Sequence, residues 1–225
     1  MVNENFMNDT NKPDARRPLK VRNSLVVQRF ARWLSQRHVT PNQISIASVG
    51  FAFCAAISFI LIPTTGNWNL AILSAVFIQC RLLCNLFDGM VAVEGGKSTV
   101  SGELFNDIPD RIADPLIIVS AGYVLPHLDW VVALAWFAGL MSVMTAYVRT
   151  LATTIGAPAK FTGPMAKQHR MAVLTVACVL TVFENIWLPA GTFLMVALCV
   201  IALGAIVTVV RRSRDAYLAL EEPPC

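Results

Sequence analysis

Ile44-Ser-Ile-Ala-Ser-Val-Gly-Phe-Ala-Phe-Cys-Ala-Ala-Ile-Ser-Phe-Ile-Leu-Ile62 runs for nineteen residues without a charge. At a helical rise of about 1.5 Å per residue this run crosses most of the roughly 30 Å hydrocarbon core of a bilayer. In lipid a helix satisfies its own backbone groups, so a helix is expected. The run lies too deep in the chain, and lacks the small-residue cleavage site, to be a removable signal peptide; it reads as an anchor. Outward from it, further apolar stretches lie at about 68–87, 104–125, 128–150, 170–187 and 190–210. Breakers separate them at Pro63 and Gly66, Gly95 and Gly96, Pro126, the run Gly156, Pro158, Gly163 and Pro164, and Pro189. The stretch at 104–125 is interrupted in its first half by Asn106, Asp107, Asp110, Arg111 and Asp114.

The composition agrees with this division. With 56% hydrophobic and 14% charged residues and a mean hydropathy of +0.59, the chain has too little polar surface to coat a soluble globule of its size. The expected fold class is all-α membrane, with six transmembrane helices preceded by an interfacial amphipathic helix. Residues 1–20 have the polar composition of a flexible tail. Across 21–40, Leu25, Val26, Phe30, Trp33 and Leu34 recur at helical spacing with Arg22, Arg29, Arg32 and Arg37 between them, which suggests a helix lying on the membrane surface. The spans then occupy 41–212, and 213–225 is a cytoplasmic tail.

Lysine and arginine fix the orientation, because cytoplasmic loops hold their excess. The N-terminal segment, the loop with Lys97, the loop with Lys160 and Lys167 flanked by Arg149 and Arg170, and the C-terminal Arg211, Arg212 and Arg214 are basic; the other three connections carry neither residue type. Both termini and both long loops are therefore expected in the cytoplasm. A net charge of +4 follows from this asymmetry and from attraction to anionic lipid, without a nucleic-acid partner. A bacterial inner membrane is the expected location. Cys54, Cys80, Cys84, Cys178, Cys199 and Cys225 lack metal-ligand spacing and read as small packing residues. His38, His127 and His169 form no ligand pair. Trp33, Trp68, Trp130 and Trp187 fall near span ends, as interfacial aromatic residues do.

Ionisable residues inside spans are expensive and therefore mark function. They concentrate in Arg81-Leu-Leu-Cys-Asn85-Leu-Phe-Asp88-Gly89-Met-Val-Ala92 and in Gly102-Glu-Leu-Phe-Asn106-Asp107-Ile-Pro-Asp110. At about 100° per residue, Arg81, Asn85, Asp88 and Ala92 share one helix face, and Gly102, Asn106 and Asp110 share another. Carboxylates and amide carbonyls are hard oxygen donors, suited to Mg²⁺, Mn²⁺ or Ca²⁺ rather than to zinc or iron. Small residues among them leave room for a bulky ligand. The bland alternative is a set of interhelical hydrogen bonds that only join two spans.

The frame of this segment resembles that of the CDP-alcohol phosphotransferases, D-x-x-D-G-x-x-A-R, eight residues, then G-x-x-x-D-x-x-x-D. Here it reads Asn85-x-x-Asp88-Gly89-x-x-Ala92-Val93, eight residues, then Gly102-x-x-x-Asn106-x-x-x-Asp110. The resemblance implies attack of an alcohol hydroxyl on the β-phosphate of a CDP-linked lipid or alcohol, with release of CMP, in phospholipid biosynthesis. It implies Asn85, Asp88, Asn106 and Asp110 around Mg²⁺ (or Mn²⁺), Asp110 as the general base, and Gly89, Ala92 and Gly102 as the positions that admit the nucleotide. A homodimer is a further expectation carried by the resemblance.

Three positions depart from that pattern. Asn85 and Asn106 stand where it has aspartates, and Val93 where it has arginine. The site loses two negative charges and should hold Mg²⁺ more weakly. Asp107 points about 100° away from Asn106 and is no simple replacement. Arg81, one turn before Asn85, is a candidate for the missing arginine, against a plain ion pair with Asp88 or Asp110. Lys167 and Arg170 are candidates for gripping a substrate phosphate, against a role as topology residues only. The rival functions are a catalytically silent lipid- or nucleotide-binding relative and a small transporter or channel subunit. The latter predicts polar residues along several spans rather than at one interface.

Overall fold

The structure, a computed structural model, describes residues 25–37, 39–94, 102–184 and 187–221. The expected tail at 1–20, His38, the side chains of Val93 and Asn106, and Cys225 lie outside the described residues. All regular structure among the described residues is helical: α1 (Leu25–Gln36), α2 (Pro41–Thr65), α3 (Asn69–Glu94), α4 (Gly102–Gly122), α5 (Asp129–Thr154), α6 (Lys167–Glu184) and α7 (Thr192–Glu221). The chain is an all-helical membrane protein. Four helices are long and apolar enough to cross a bilayer, over Pro41–Thr65, Asn69–Ala92, Asp129–Thr154 and Thr192–Glu221.

α2 begins with a capping box. Thr40 Oγ1 accepts from the Gln43 backbone N–H at 3.3 Å, Gln43 Oε1 accepts from the Thr40 N–H at 3.0 Å, and Pro41 fills the first helical turn, where its missing N–H is no loss. Pro63, expected to end this helix, lies inside it. The stop comes at Gly66, whose φ of +67° suits glycine and lets its N–H donate to Ile62 O at 2.8 Å. At the other end of the chain, α7 runs past the expected end of the last span through residues 213–221.

Helices α2, α3, α6, α7, α5 and α4 pack each against the next, and α4 returns to α2, closing a ring of six. Its interior is lined largely by alanine: Ala52 and Ala55 of α2, Ala71 and Ala75 of α3, Ala113 and Ala121 of α4, Ala135 and Ala138 of α5. Small side chains let the axes approach, which is how helices associate where lipid removes the hydrophobic drive. At Gly139 an added Cβ would lie 2.9 Å from Val119 Cγ2, so the α4–α5 contact requires a glycine there. The outward face carries large apolar groups such as Ile57, Ile60, Val76, Leu140, Leu203 and Val207, a surface suited to lipid and not to water. Helix α1 leans on α3 through Ala31, Leu86 and Met90, with the Phe30 and Phe87 rings 4.8 Å apart.

Glu184, within the stretch expected at 170–187, is the buried last residue of α6. Its carboxylate accepts from the backbone N–H groups of Gly191 at 2.7 Å and Phe193 at 2.6 Å. A carboxylate at the N-terminus of α7 meets both unpaired donors and the positive end of the helix.

Candidate active site

One end of the ring gathers the C-terminal half of α3, the N-terminal half of α4 and the first turns of α2 and α6. Arg81, Asn85 and Asp88 occupy successive turns of α3, and Asp110 and Asp114 successive turns of α4, so two polar stripes meet inside the ring. Arg81 is fully buried and sends Nη2 to Asp110 Oδ1 at 2.9 Å and to Asp114 Oδ1 at 2.5 Å. Asn85 Nδ2 donates to the same Asp110 oxygen at 2.8 Å. The other Asp110 oxygen is ion-paired with Lys167 Nζ. Asp88 faces the opposite wall: its Oδ2 accepts from Ser45 Oγ of α2 at 2.8 Å and its Oδ1 from the Gly89 N–H at 2.5 Å.

Deeper in the ring Arg170 spans α6, α4 and α5. Its Nη2 donates to Asp114 Oδ2 at 2.8 Å, and its Nη1 to Met165 O at 2.9 Å and to Thr145 Oγ1 at 3.2 Å. Arg170 is thus turned into the bundle and committed to protein partners. Lys167, one turn earlier, keeps a side chain 28% exposed. The loop before α6 fixes both. Gly163 has a φ of +108°, and an added Cβ would lie 2.6 Å from Thr208 Cγ2 of α7. Met165 N–H donates to Thr208 Oγ1 at 3.0 Å, and Arg212 Nε to Thr162 O at 2.9 Å.

The fixed charges of the cluster balance. Three aspartates, Asp88, Asp110 and Asp114, stand against Arg81, Lys167 and Arg170; Asp110 and Asp114 pair with these cations, while Asp88 is held by Ser45 and the Gly89 N–H. Asp107, a residue away from Asn106, leaves this cluster and pairs with Arg111 at 2.7 Å and Arg149 at 3.5 Å. Asn85 and Asp110 therefore come together as their spacing predicts, and Asp88 lies on the same α3 face. Gly89, Ala92 and Gly102 are half-buried positions at the mouth of the two helices.

Asp114 and Ser45 belong to the cluster although the motif frame omits them. Asp114 was detectable as the next step of the four-residue interval through Asn106 and Asp110. Ser45 carried no signal within its apolar run. Arg81 pairs with Asp110, one of the two partners considered, and with Asp114 rather than with Asp88. Among the described residues, the buried charged groups other than Glu184 lie at this end of the bundle, unlike the distribution expected of a transport path.

Hard oxygens make up the available donors: two carboxylates and the carbonyl of Asn85, whose amide nitrogen is turned to Asp110. This set fits a hard divalent cation and not a thiophilic metal. Among the described residues no three histidine, cysteine or acidic side chains converge, so amide, water or substrate oxygens would complete such a site.

The same arrangement of helices recurs in known proteins. A family model described as CDP-alcohol phosphatidyltransferase matches residues 38–211. The inner membrane protein YnbA of Escherichia coli is 26% identical over 141 residues, which is 63% of this chain and 67% of that protein. A phosphatidylinositol phosphate synthase of Streptomyces avermitilis is 23% identical over 193 residues, 83% of this chain and 76% of its own. The crystal structure of Mycobacterium tuberculosis phosphatidylinositol phosphate synthase with CDP-DAG bound superposes with a TM-score of 0.72 at 17% identity, covering 90% of this chain and 100% of that one. Its complex with manganese and citrate gives 0.71 at 17% identity over 88% and 92% of the two chains. The chain belongs to the CDP-alcohol phosphatidyltransferase family, membrane enzymes of phospholipid biosynthesis that transfer a group from a CDP-alcohol to a second alcohol with release of CMP.

Proposed function

We propose that this transferase uses a CDP-linked lipid as donor and works at the cytoplasmic leaflet through Asp88, Asp110, Asn85 and Asn106. The observation that carries this reading is the meeting of Asn85 and Asp110 across α3 and α4, 2.8 Å apart, at the two ends of a motif frame whose intervals all match. The bound CDP-DAG of the M. tuberculosis synthase supports a lipid donor, and its manganese complex supports a divalent ion.

In this reading Asp88, Asp110 and the amide oxygens of Asn85 and Asn106 hold Mg²⁺ or Mn²⁺, which when bound offsets the charge of the pyrophosphate. Ser45 and the Gly89 N–H orient Asp88. Arg81 and Asn85 hold one oxygen of Asp110, so the other, paired with Lys167 in the structure, is the one left to meet the acceptor. The acceptor oxygen forms a bond to the β-phosphorus, the bond to the CMP oxygen breaks with its electron pair, and the hydroxyl proton passes to Asp110. Gly89, Ala92 and Gly102 leave space for the nucleotide. Arg170 acts at a distance as a positioning residue, through Asp114.

The packing of α4 and α6 in one ring with the four apolar helices supports a reading in which they also cross the membrane, giving six spans with α1 on the surface. Asp110 and Asp114 of α4 and Arg170 of α6, whose charges help to keep these helices out of the four most apolar ones, are buried inside the ring. The basic residues Arg149, Lys160, Lys167 and Arg212 lie at the end of the ring that holds the cluster, which supports a cytoplasmic orientation of that end in a bacterial inner membrane. The homodimer implied by the family resemblance is open to light scattering in nanodiscs. Donor class is tested by comparing CMP release from CDP-diacylglycerol with release from water-soluble CDP-alcohols. The lipid is expected to be the better substrate; turnover of soluble donors alone would overturn this reading.

A further inference from the structure

The three cations of the cluster are not equivalent. Arg81 and Arg170 are buried and both engage Asp114, a carboxylate with an arginine at each oxygen. Arg170 has two further protein acceptors. Among the described residues Lys167 has one carboxylate partner, Asp110, is partly exposed, and sits on a flexible stem at the first position of α6. A cation at a helix N-terminus is opposed by the helix dipole, so Asp110 is what holds it there. Asp110 in turn already accepts from Arg81 and Asn85 at its other oxygen.

Among the described residues, an arriving divalent ion therefore meets a cluster with no net negative charge, in which its best carboxylate is shared with an ammonium. Two changes would admit it: Lys167 leaves Asp110, or new negative charge enters. A pyrophosphate does both, since it adds anionic oxygens and gives Lys167 and the N-terminal N–H groups of α6 another partner. Resting on the metal and nucleotide reading above, we propose that Lys167 is an internal cation that competes with the divalent metal for Asp110, so that metal and nucleotide bind this site cooperatively. The two neutral residues Asn85 and Asn106 are what make this competition matter, because they remove the surplus charge that would otherwise hold the metal unaided.

The test is Mn²⁺ binding to protein in nanodiscs, read from the electron paramagnetic resonance signal of free Mn²⁺, with and without CDP as probe. In the wild-type chain CDP should tighten Mn²⁺ by about tenfold or more, and Mn²⁺ should tighten CDP by the same factor. K167M, with an unchanged helical spectrum and melting profile, should bind Mn²⁺ about tenfold more tightly than wild type without CDP and lose most of the coupling; K167R should retain it. Equal Mn²⁺ affinity with and without CDP in the wild type would overturn the competition while leaving the metal site intact, and needs no variant. Absence of Mn²⁺ binding in every protein even with CDP would overturn the metal reading and this inference together.

Discussion

Arg81 of α3 and Asp114 of α4 form an ion pair at 2.5 Å, with side chains 0% and 4% exposed, directly beneath the carboxylate of Asp110. Arg170 closes the same pair from α6. The acidic residue proposed to take the hydroxyl proton is thus seated on a buried ionic layer that joins three helices.

Removing one member of that layer strands the others without water. Arg81→Met is expected to lower stability by about 3–5 kcal/mol, because Asp110 and Asp114 lose a shared partner. Thermal unfolding in detergent should show the loss, and metal and nucleotide binding should weaken with it. Arg81→Gln with unaltered melting and unaltered binding of both ligands would contradict a role for this residue in the site.

Asn85→Asp would place a second carboxylate beside Asp110 and delete the hydrogen bond from Nδ2. Repulsion between the acids should lower the melting temperature without metal. The added charge should tighten Mn²⁺ by about tenfold, with stability recovered on its addition. Calorimetry with and without the ion measures both changes.

The motif interval was enough to bring α3 and α4 together at Asn85 and Asp110, because the helical period fixes which side chains share a face. It could not reveal that Arg81 reaches Asp114. That contact depends on the axial offset between two helices, which no single-helix periodicity encodes. Pro63 misled as a stop signal because a proline removes one helical hydrogen bond without ending the helix at its own position; the stop is the left-handed turn at Gly66. Glu184 was unreadable for a related reason: its partners are backbone groups of Gly191 and Phe193, and backbone donors have no sequence signature.

Glu184→Gln supplies a contrast far from the chemistry. The variant keeps one acceptor but loses the charge-assisted bonds to the start of α7, at a cost of about 1–3 kcal/mol. Its melting temperature should fall while the KM for the CDP donor stays within about twofold of wild type. A KM rise as large as that of site variants would contradict the separation of the two ends.

Gly163→Ala should disturb the site indirectly. The backbone at φ +108° and the contact with Thr208 leave no room for a Cβ, and the strain is about 1–2 kcal/mol. Because this turn leads into Lys167, the expected effect is on donor affinity as well as stability. Steady-state kinetics with varied CDP-diacylglycerol would show a raised KM; a lower melting temperature with unchanged KM would limit the turn to a structural role.

Whether a frame with Asn85 and Asn106 supports turnover through Asp110 is tested most directly by CMP release from purified protein. The assay takes CDP-diacylglycerol, Mg²⁺ or Mn²⁺ and a panel of alcohols, with Asp110→Asn alongside. The predicted result is metal-dependent CMP formation that falls by about 10²–10⁴-fold in the variant. Folded wild-type protein that releases no CMP with any acceptor, or an Asp110→Asn protein as active as wild type, would contradict it.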